Sequence, residues 1–239
     1  MISIIVLSIV LVLAGVYGIY RLVPFYQAKK NAPTYLLEFE ALDLSSVPEY
    51  RGEPYVELNG NKPLFTDEDK QNSVFEHYSE LDKLGRCGVA TACLGRELMP
   101  TEPRGNIGHI KPAGWHTVKY PDLIEDNYLY NRSHLIAYSL AGENDNWQNL
   151  ITGTRYMNHT GMLPFENMVA RYLDDHEGHV LYRVMPCYVG KELIARGVHM
   201  EAWSLADNGR SICFNVFVYN VQPGIVIDYL TGESWEEKE

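Results

Sequence analysis

Nineteen consecutive residues near the N-terminus, Ile2 to Tyr20, carry no charged side chain. As a helix such a run is about 28 Å long, close to the roughly 30 Å hydrocarbon thickness of a bilayer. It does not suit the surface of a globular domain, so it sets a membrane-type segment apart from the rest of the chain. Two readings of it stay open. An uncleaved signal anchor is favoured, because the only positive charge ahead of the apolar run is the terminal amine. A cleaved signal peptide would use Val16 and Gly18 as the small residues before a cut after Gly18. Arg21, Lys29 and Lys30 follow the run, and the positive-inside rule would place that side in the cytoplasm. The expected division is a membrane segment at 1–23, a tether at 24–50, one folded domain at 51–230 and an acidic tail at 231–239.

The remainder has a globular composition: 46% of the whole chain is hydrophobic and 21% charged, which excludes a disordered chain, a collagen-like repeat or a simple coiled coil. The formal charge of −11 argues at first against a polyanionic partner. The charge is unevenly placed, however. Residues 36–82 carry twelve acids against three bases, and the stretch from Asp228 carries five acids against one base. Residues 83–227 are nearly neutral, with 14 acids and 13 bases, and hold seven of the eight histidines. A nucleic-acid site can lie in that middle part without contradicting the total.

The four cysteines, Cys87, Cys93, Cys187 and Cys213, form no Cys-x-x-Cys pair, so a structural zinc site is not expected. In an exported domain Cys87–Cys93 would suit a local disulfide; otherwise all four read as small buried apolar residues. Tyr55–Leu58 and Pro63–Phe65 flank Asn59-Gly60 and predict a hairpin. Phe75 to Leu84 predicts a short helix or loop, Gly88 to Leu94 a buried strand, and 95–121 irregular backbone. Pro164 to Leu173 predicts a helix, with Pro164 in its first turn and Phe165, Met168, Val169 and Tyr172 on one face. Four β-rich runs follow: His179–Val189, Val198–Ala206, Ile212–Val221 and Gly224–Tyr229. Strands and helices do not alternate regularly. The expected class is therefore one α+β domain with a mainly antiparallel sheet.

The densest polar constellation lies between Asn131 and Glu166. It opens with Asn131-Arg132-Ser133-His134, continues with Asn149 to Asn158, and ends at Glu166. A histidine can take a proton from water near neutral pH. An asparagine carbonyl is a hard neutral oxygen ligand for Mg²⁺, a glutamate can hold metal-bound waters, and arginines suit phosphate oxygens. Together they are a toolkit for metal-assisted phosphodiester hydrolysis.

This segment resembles the DNA/RNA non-specific endonuclease family, whose active site is the ββα-metal arrangement, and within it the streptococcal-type secreted DNases. The family signature is Asp-Arg-Gly-His, an asparagine some two dozen residues later, and a glutamate eight further on. Here His134 is followed by Asn158 at +24 and Glu166 at a further +8. The likeness extends over roughly 50–230, including Leu84-Gly-Arg-Cys-Gly88, Met99 to Gly105, and Tyr219 to Gly224. Asn131 stands where the family has aspartate and Ser133 where it has glycine. The resemblance implies a ββα-metal nuclease fold with a mainly antiparallel central sheet, flanked by helices and long loops. It implies His134 as general base, Asn158 as the single protein ligand of Mg²⁺ (with Mn²⁺ able to substitute), Glu166 as the holder of metal-bound waters, and Arg132 near the phosphate. Arg155, Arg171 and Asn149 are further candidates for substrate contact. The substrate would be DNA and possibly RNA, cleaved without base specificity. The membrane would be met through residues 2–20, and the protein would be anchored at the cell surface or secreted. Nothing in the sequence points to a protein partner.

The plainer readings are a core histidine at 134, a residue that hydrogen-bonds backbone near the site at 149, a cap or turn residue at 158, a helix-dipole partner at 166 and a solvated helix face at 171. A membrane-tethered nucleic-acid-binding module without catalysis, its chemistry lost through the substitutions at 131 and 133, is the alternative function.

Overall fold

The structure is a computed structural model and describes residues 42–71 and 73–238. The apolar run 2–20 lies outside the described residues. Among the described residues no helix is long and apolar enough to cross a membrane.

Six strands form one antiparallel sheet: β1 (Tyr55–Glu57), β2 (Phe75–Tyr78), β3 (Ala90–Leu94), β6 (Val180–Cys187), β7 (Gly197–Ser204) and β8 (Cys213–Tyr219), in the order β1-β8-β7-β6-β3-β2. A second, two-stranded sheet pairs β4 (Tyr130–His134) with β5 (Leu150–Thr154), and a third pairs β9 (Ile225–Ile227) with β10 (Ser234–Glu236). A short helix α1 (Tyr138–Ala141) sits between β4 and β5. After β5 the chain makes a π-turn, Tyr156–Met162, which runs directly into helix α2 (Leu163–Asp175). The class is α+β with a mainly antiparallel sheet, as the sequence predicts.

Alternation along the long strands explains the layering. Ala90, Ala92 and Leu94, Tyr182 and Val184, Met200 and Ala202, and Phe214, Val216 and Val218 all point to one face of the main sheet, into the principal core. That face is covered by the two-strands-and-helix unit through Leu135, Ile136, Ile151, Met157, Met162, Phe165, Val169 and Leu173. The opposite face carries two smaller clusters and a buried polar group. Arg183 and Glu201 pair there, and His199 Nε2 lies 2.7 Å from Asn215 Oδ1. Residues 61–64 cap this group: the Leu64 N–H donates to Glu201 (2.6 Å), and Asn215 donates to the Lys62 carbonyl (2.8 Å).

Several predicted elements differ. Asn59-Gly60 does not turn a hairpin. Asn59, Gly60 and Asn61 all have positive φ but form a single 3₁₀ turn. β1 pairs instead with β8, Tyr55 opposite Val218. Phe75 to Tyr78 is neither helix nor loop but the edge strand β2, paired with β3. Met168 is exposed, and Leu173 takes the expected place in the buried face of α2. All four cysteines are free thiols. Cys87 faces the principal core while Cys93 lies in a cluster on the other face of the sheet, so the sheet separates the two. In the stretch read as a tether, Leu44, Val47 and Tyr50 pack against the cluster of Val89, Met185 and Phe217.

Residues 228–236 form a strap beneath the loop that precedes β4. Tyr130 Oη donates to the Gly232 carbonyl (3.0 Å), and Tyr120 Oη lies 2.8 Å from Ser234 Oγ. Gly232, at φ +88°, passes so close to Gly114 that a Cβ there would sit 2.1 Å from the Gly114 carbonyl oxygen. No side chain fits that crossing.

Candidate active site

The cleft lies where β4, the loop before α1 and the start of α2 meet. It encloses about 800 Å³ and is lined by Arg104, Arg132, His134, Arg155, Asn158 and Glu166, with the aromatic rings of Trp115, Tyr128, Tyr130 and Tyr138. It is a basic cleft in an acidic chain.

His134 ends β4 and is only 6% exposed. Its Nε2 is 2.9 Å from the Asn144 carbonyl oxygen. A carbonyl only accepts, so Nε2 carries the proton and Nδ1 keeps a free lone pair. Nδ1 is met at 3.3 Å by the Arg104 guanidinium. Burial lowers the imidazole pKa to about 4; the Asn144 carbonyl pulls it upward, and Arg104 adds to the lowering. The ring is therefore neutral over the physiological range, with its basic nitrogen at the cleft.

Asn158 is placed by the π-turn. Its carbonyl accepts from the Leu163 N–H, a bond over five residues that widens the backbone before α2 begins. Its side-chain amide makes no hydrogen bond among the described residues and lines the cleft. Glu166 sits in the first turn of α2 and lines the same cleft. Burial raises its pKa to about 8, opposed by the positive charge of Arg104. A neutral amide oxygen beside a carboxyl is a donor set suited to a hard divalent cation once the carboxyl has lost its proton, which the cation's own charge would favour. Among the described residues no group of three His, Cys, Asp or Glu side chains could hold a metal by itself. A site here would have Asn158, Glu166 and water as its oxygen donors.

The other predicted residues divide. Arg132 lines the cleft, but its guanidinium is committed to the 108–115 loop. It donates to the carbonyls of Ile110 (2.5 Å) and Gly108 (2.8 Å) and lies over the Trp115 ring at 4.0 Å. Arg155 lines the cleft and forms an ion pair with Asp126. Arg171 does not reach the cleft; it is exposed and donates to the Asn167 carbonyl of its own helix. Asn149 is fully buried, and both ends of its amide bond the backbone of Ile136 (2.8 and 2.9 Å). It braces the chain just after His134 and has no group left for substrate. Arg104 went unassigned in the sequence, where its only signal is an arginine between Pro103 and Gly105 in a loop-forming stretch.

The two departures from the family motif each leave a buried polar atom, Asn131 Nδ2 and Ser133 Oγ, without a hydrogen-bond partner among the described residues. Ser133 is fully buried, and Gly153 on the facing strand leaves room for it: a Cβ on Gly153 would lie 2.3 Å from Ser133 Oγ. Asn131 lines the cleft, with its amide nitrogen buried and unpaired among the described residues.

Two strands followed by a helix, converging on a histidine, an asparagine and a glutamate, define a class of metal-dependent nucleases, and the comparisons agree. The chain belongs to the DNA/RNA non-specific endonuclease family, whose model matches residues 67–206. It is similar to a deoxyribonuclease from Streptococcus dysgalactiae subsp. equisimilis, 35% identical over 112 residues, 45% of this chain and 33% of that protein. The match thus spans about a third of the length of that curated relative. Among solved structures it is similar to NucA from Streptococcus agalactiae with magnesium bound, at 27% identity and TM-score 0.70, over 81% of this chain and 93% of that one. It is also similar to the Sda1 nuclease with bound zinc, at 25% identity and TM-score 0.64, over 82% of this chain and all of that one.

Proposed function

We propose that the protein is a Mg²⁺-dependent, sequence-non-specific endonuclease of the ββα-metal type, with DNA as substrate and RNA as the second candidate. The observation that carries this reading is His134: a buried, neutral imidazole, its tautomer fixed by the Asn144 carbonyl, its basic Nδ1 turned to a cleft shared with Asn158 and Glu166. His134 Nδ1 takes the proton of the attacking water as that water approaches phosphorus in line with the leaving 3′ oxygen. Arg104 holds the phosphate. A phosphate oxygen is a stronger acceptor than an imidazole nitrogen, so a bound substrate draws Arg104 from Nδ1 and frees that nitrogen for water. Asn158, with Glu166 through waters, would hold Mg²⁺, which supplies charge neutralisation at the phosphate and the leaving oxygen. Arg132 fixes the cleft wall, and Arg155 lies further along it. The products would carry 5′-phosphate and 3′-hydroxyl ends. Contacts restricted to the backbone give little base preference. The NucA neighbour with magnesium supports the choice of metal, and Mn²⁺ should substitute. The apolar run at residues 2–20 is what supports a secreted or surface-anchored location.

Incubation of the purified full-length chain with plasmid DNA, with Mg²⁺ or with EDTA, tests the reading. Fragmentation that needs Mg²⁺ supports it. Retention of intact DNA regardless of metal would instead support the non-catalytic binding module.

A further inference from the structure

The far end of the cleft from His134 carries a second constellation, which the hydrolytic chemistry does not use. Tyr128, Tyr130, Arg132 and His134 are alternate residues of one stretch of chain, and all four line the cleft. Six residues span at most about 20 Å, so Tyr128 stands up to that far from the base. Tyr128 is 43% exposed, whereas Tyr130, two residues on and lining the same cleft, is 4% exposed. The Lys119 ammonium lies 4.6 Å from its ring centroid, and Lys119 itself is exposed. Arg155 and Thr117 line the same end of the cleft.

This shelf is built in advance. Lys119 and Tyr128 form an antiparallel bridge, the Tyr120 N–H donates to the Asn127 carbonyl (2.8 Å), and the Leu129 N–H donates to Val118 (3.1 Å). Ile124 and Leu129 bury the underside of the turn. With the backbone on both sides already ordered, only the two side-chain torsions of the ring remain to be fixed when something stacks on it. A 43% exposed ring with an ammonium over one face can take an unpaired nucleobase on its other face, with the adjoining phosphate meeting the ammonium. A base inside a duplex has no free face to offer.

Resting on the nuclease reading, we propose that Tyr128 and Lys119 form a stacking subsite for an unpaired nucleobase of the substrate strand, several nucleotides from the scissile bond, and that it favours single-stranded over duplex substrate. Tyr128 supplies the face for the base and Lys119 meets the phosphate beside it.

The test uses the full chain with Mg²⁺, short single-stranded oligonucleotides and blunt duplexes of the same sequence. Tyr128→Ala should raise KM on the single strand on the order of tenfold. It should leave kcat on that strand largely in place and lower the single-strand to duplex ratio of kcat/KM. Tyr128→Phe keeps the ring and should restore the wild-type ratio. Scanning one abasic residue along the oligonucleotide should find a position where KM rises for the wild type but not for Tyr128→Ala. Lys119→Met should flatten the dependence of log affinity on log salt by about 0.7, one phosphate contact on a single strand. An unchanged ratio in Tyr128→Ala, or no position at which the abasic effect vanishes, overturns the subsite while leaving the nuclease reading in place. A wild type that cleaves no nucleic acid under any metal removes both.

Discussion

Two histidines in this chain are equally buried, each at 6% exposure, and their surroundings differ. His199, on the far face of the main sheet, belongs to a group whose polar atoms are matched: Arg183 with Glu201, Glu201 with the Leu64 N–H, and Asn215 with His199 and the Lys62 carbonyl. His134, in the cleft, has one nitrogen fixed by a carbonyl and the other turned toward an exposed guanidinium. Around it, Asn158 has an unused amide and burial holds Glu166 in its neutral form. The same residue types stabilise a fold where their bonding is saturated, and are available to a ligand where it is not.

The sharpest way to break this contrast is to exchange the fates of the two rings. His134→Ala should lower kcat by about 10²–10⁴-fold, the worth of a general base, with little change in Tm. His199→Ala should lower Tm and leave kcat within a few-fold. A folded His199→Ala protein without activity would sink the distinction. Glu201→Ala should lower stability, measured by urea unfolding, because it removes the carboxylate that the buried Arg183 guanidinium meets through both Nε and Nη2 and leaves the Leu64 N–H without its acceptor.

The pH dependence separates the groups further. The folded-state pKa of His134 is lowered to about 4 from 6.5. Between those values the unfolded chain binds more protons than the native one, so stability from this group is complete above 6.5 and falls as pH drops toward 4. The acid limb of kcat/KM should lie near 4, not near 6.5. Glu166 runs the other way. Its pKa is raised to about 8, and it must lose its proton to serve a cation. Mg²⁺ affinity should therefore climb with pH up to about 8, and Glu166→Gln should flatten that climb. Calorimetry in buffers of differing ionisation enthalpy would read the released proton. The smallest effect belongs to Arg171→Ala, which should change kcat/KM less than twofold, since its side chain points away from the cleft.

How much of this was legible in the sequence depended on how far apart the partners lie along the chain. α2 and the strands β3, β6, β7 and β8 carry their own periodicity, and the spacing of His134, Asn158 and Glu166 marked the site. β1 was legible as a strand but its pairing was not, because Tyr55 pairs with remote Val218 and the Asn59-Gly60 signal is spent on a 3₁₀ turn; β2 was missed because its four residues, Phe-Glu-His-Tyr, are too few to show a period. Arg171 misled because five residues along a helix rotate a side chain about 140° from Glu166. Asn149 misled because it neighbours the motif in sequence while its amide faces the backbone of Ile136. Arg104 reaches His134 across thirty residues of irregular loop, and no local pattern encodes that contact.

The crossing of Gly232 over Gly114 gives the order of synthesis a meaning. His134, Asn158 and Glu166 are all translated before the strap at 228–236 that braces the loop bearing Trp115, on which Arg132 rests. A nascent chain stopped between them holds all the reacting side chains without the strap that braces their wall. The strap is made after all of these side chains, so assembly of the cleft is coupled to completion of the strap.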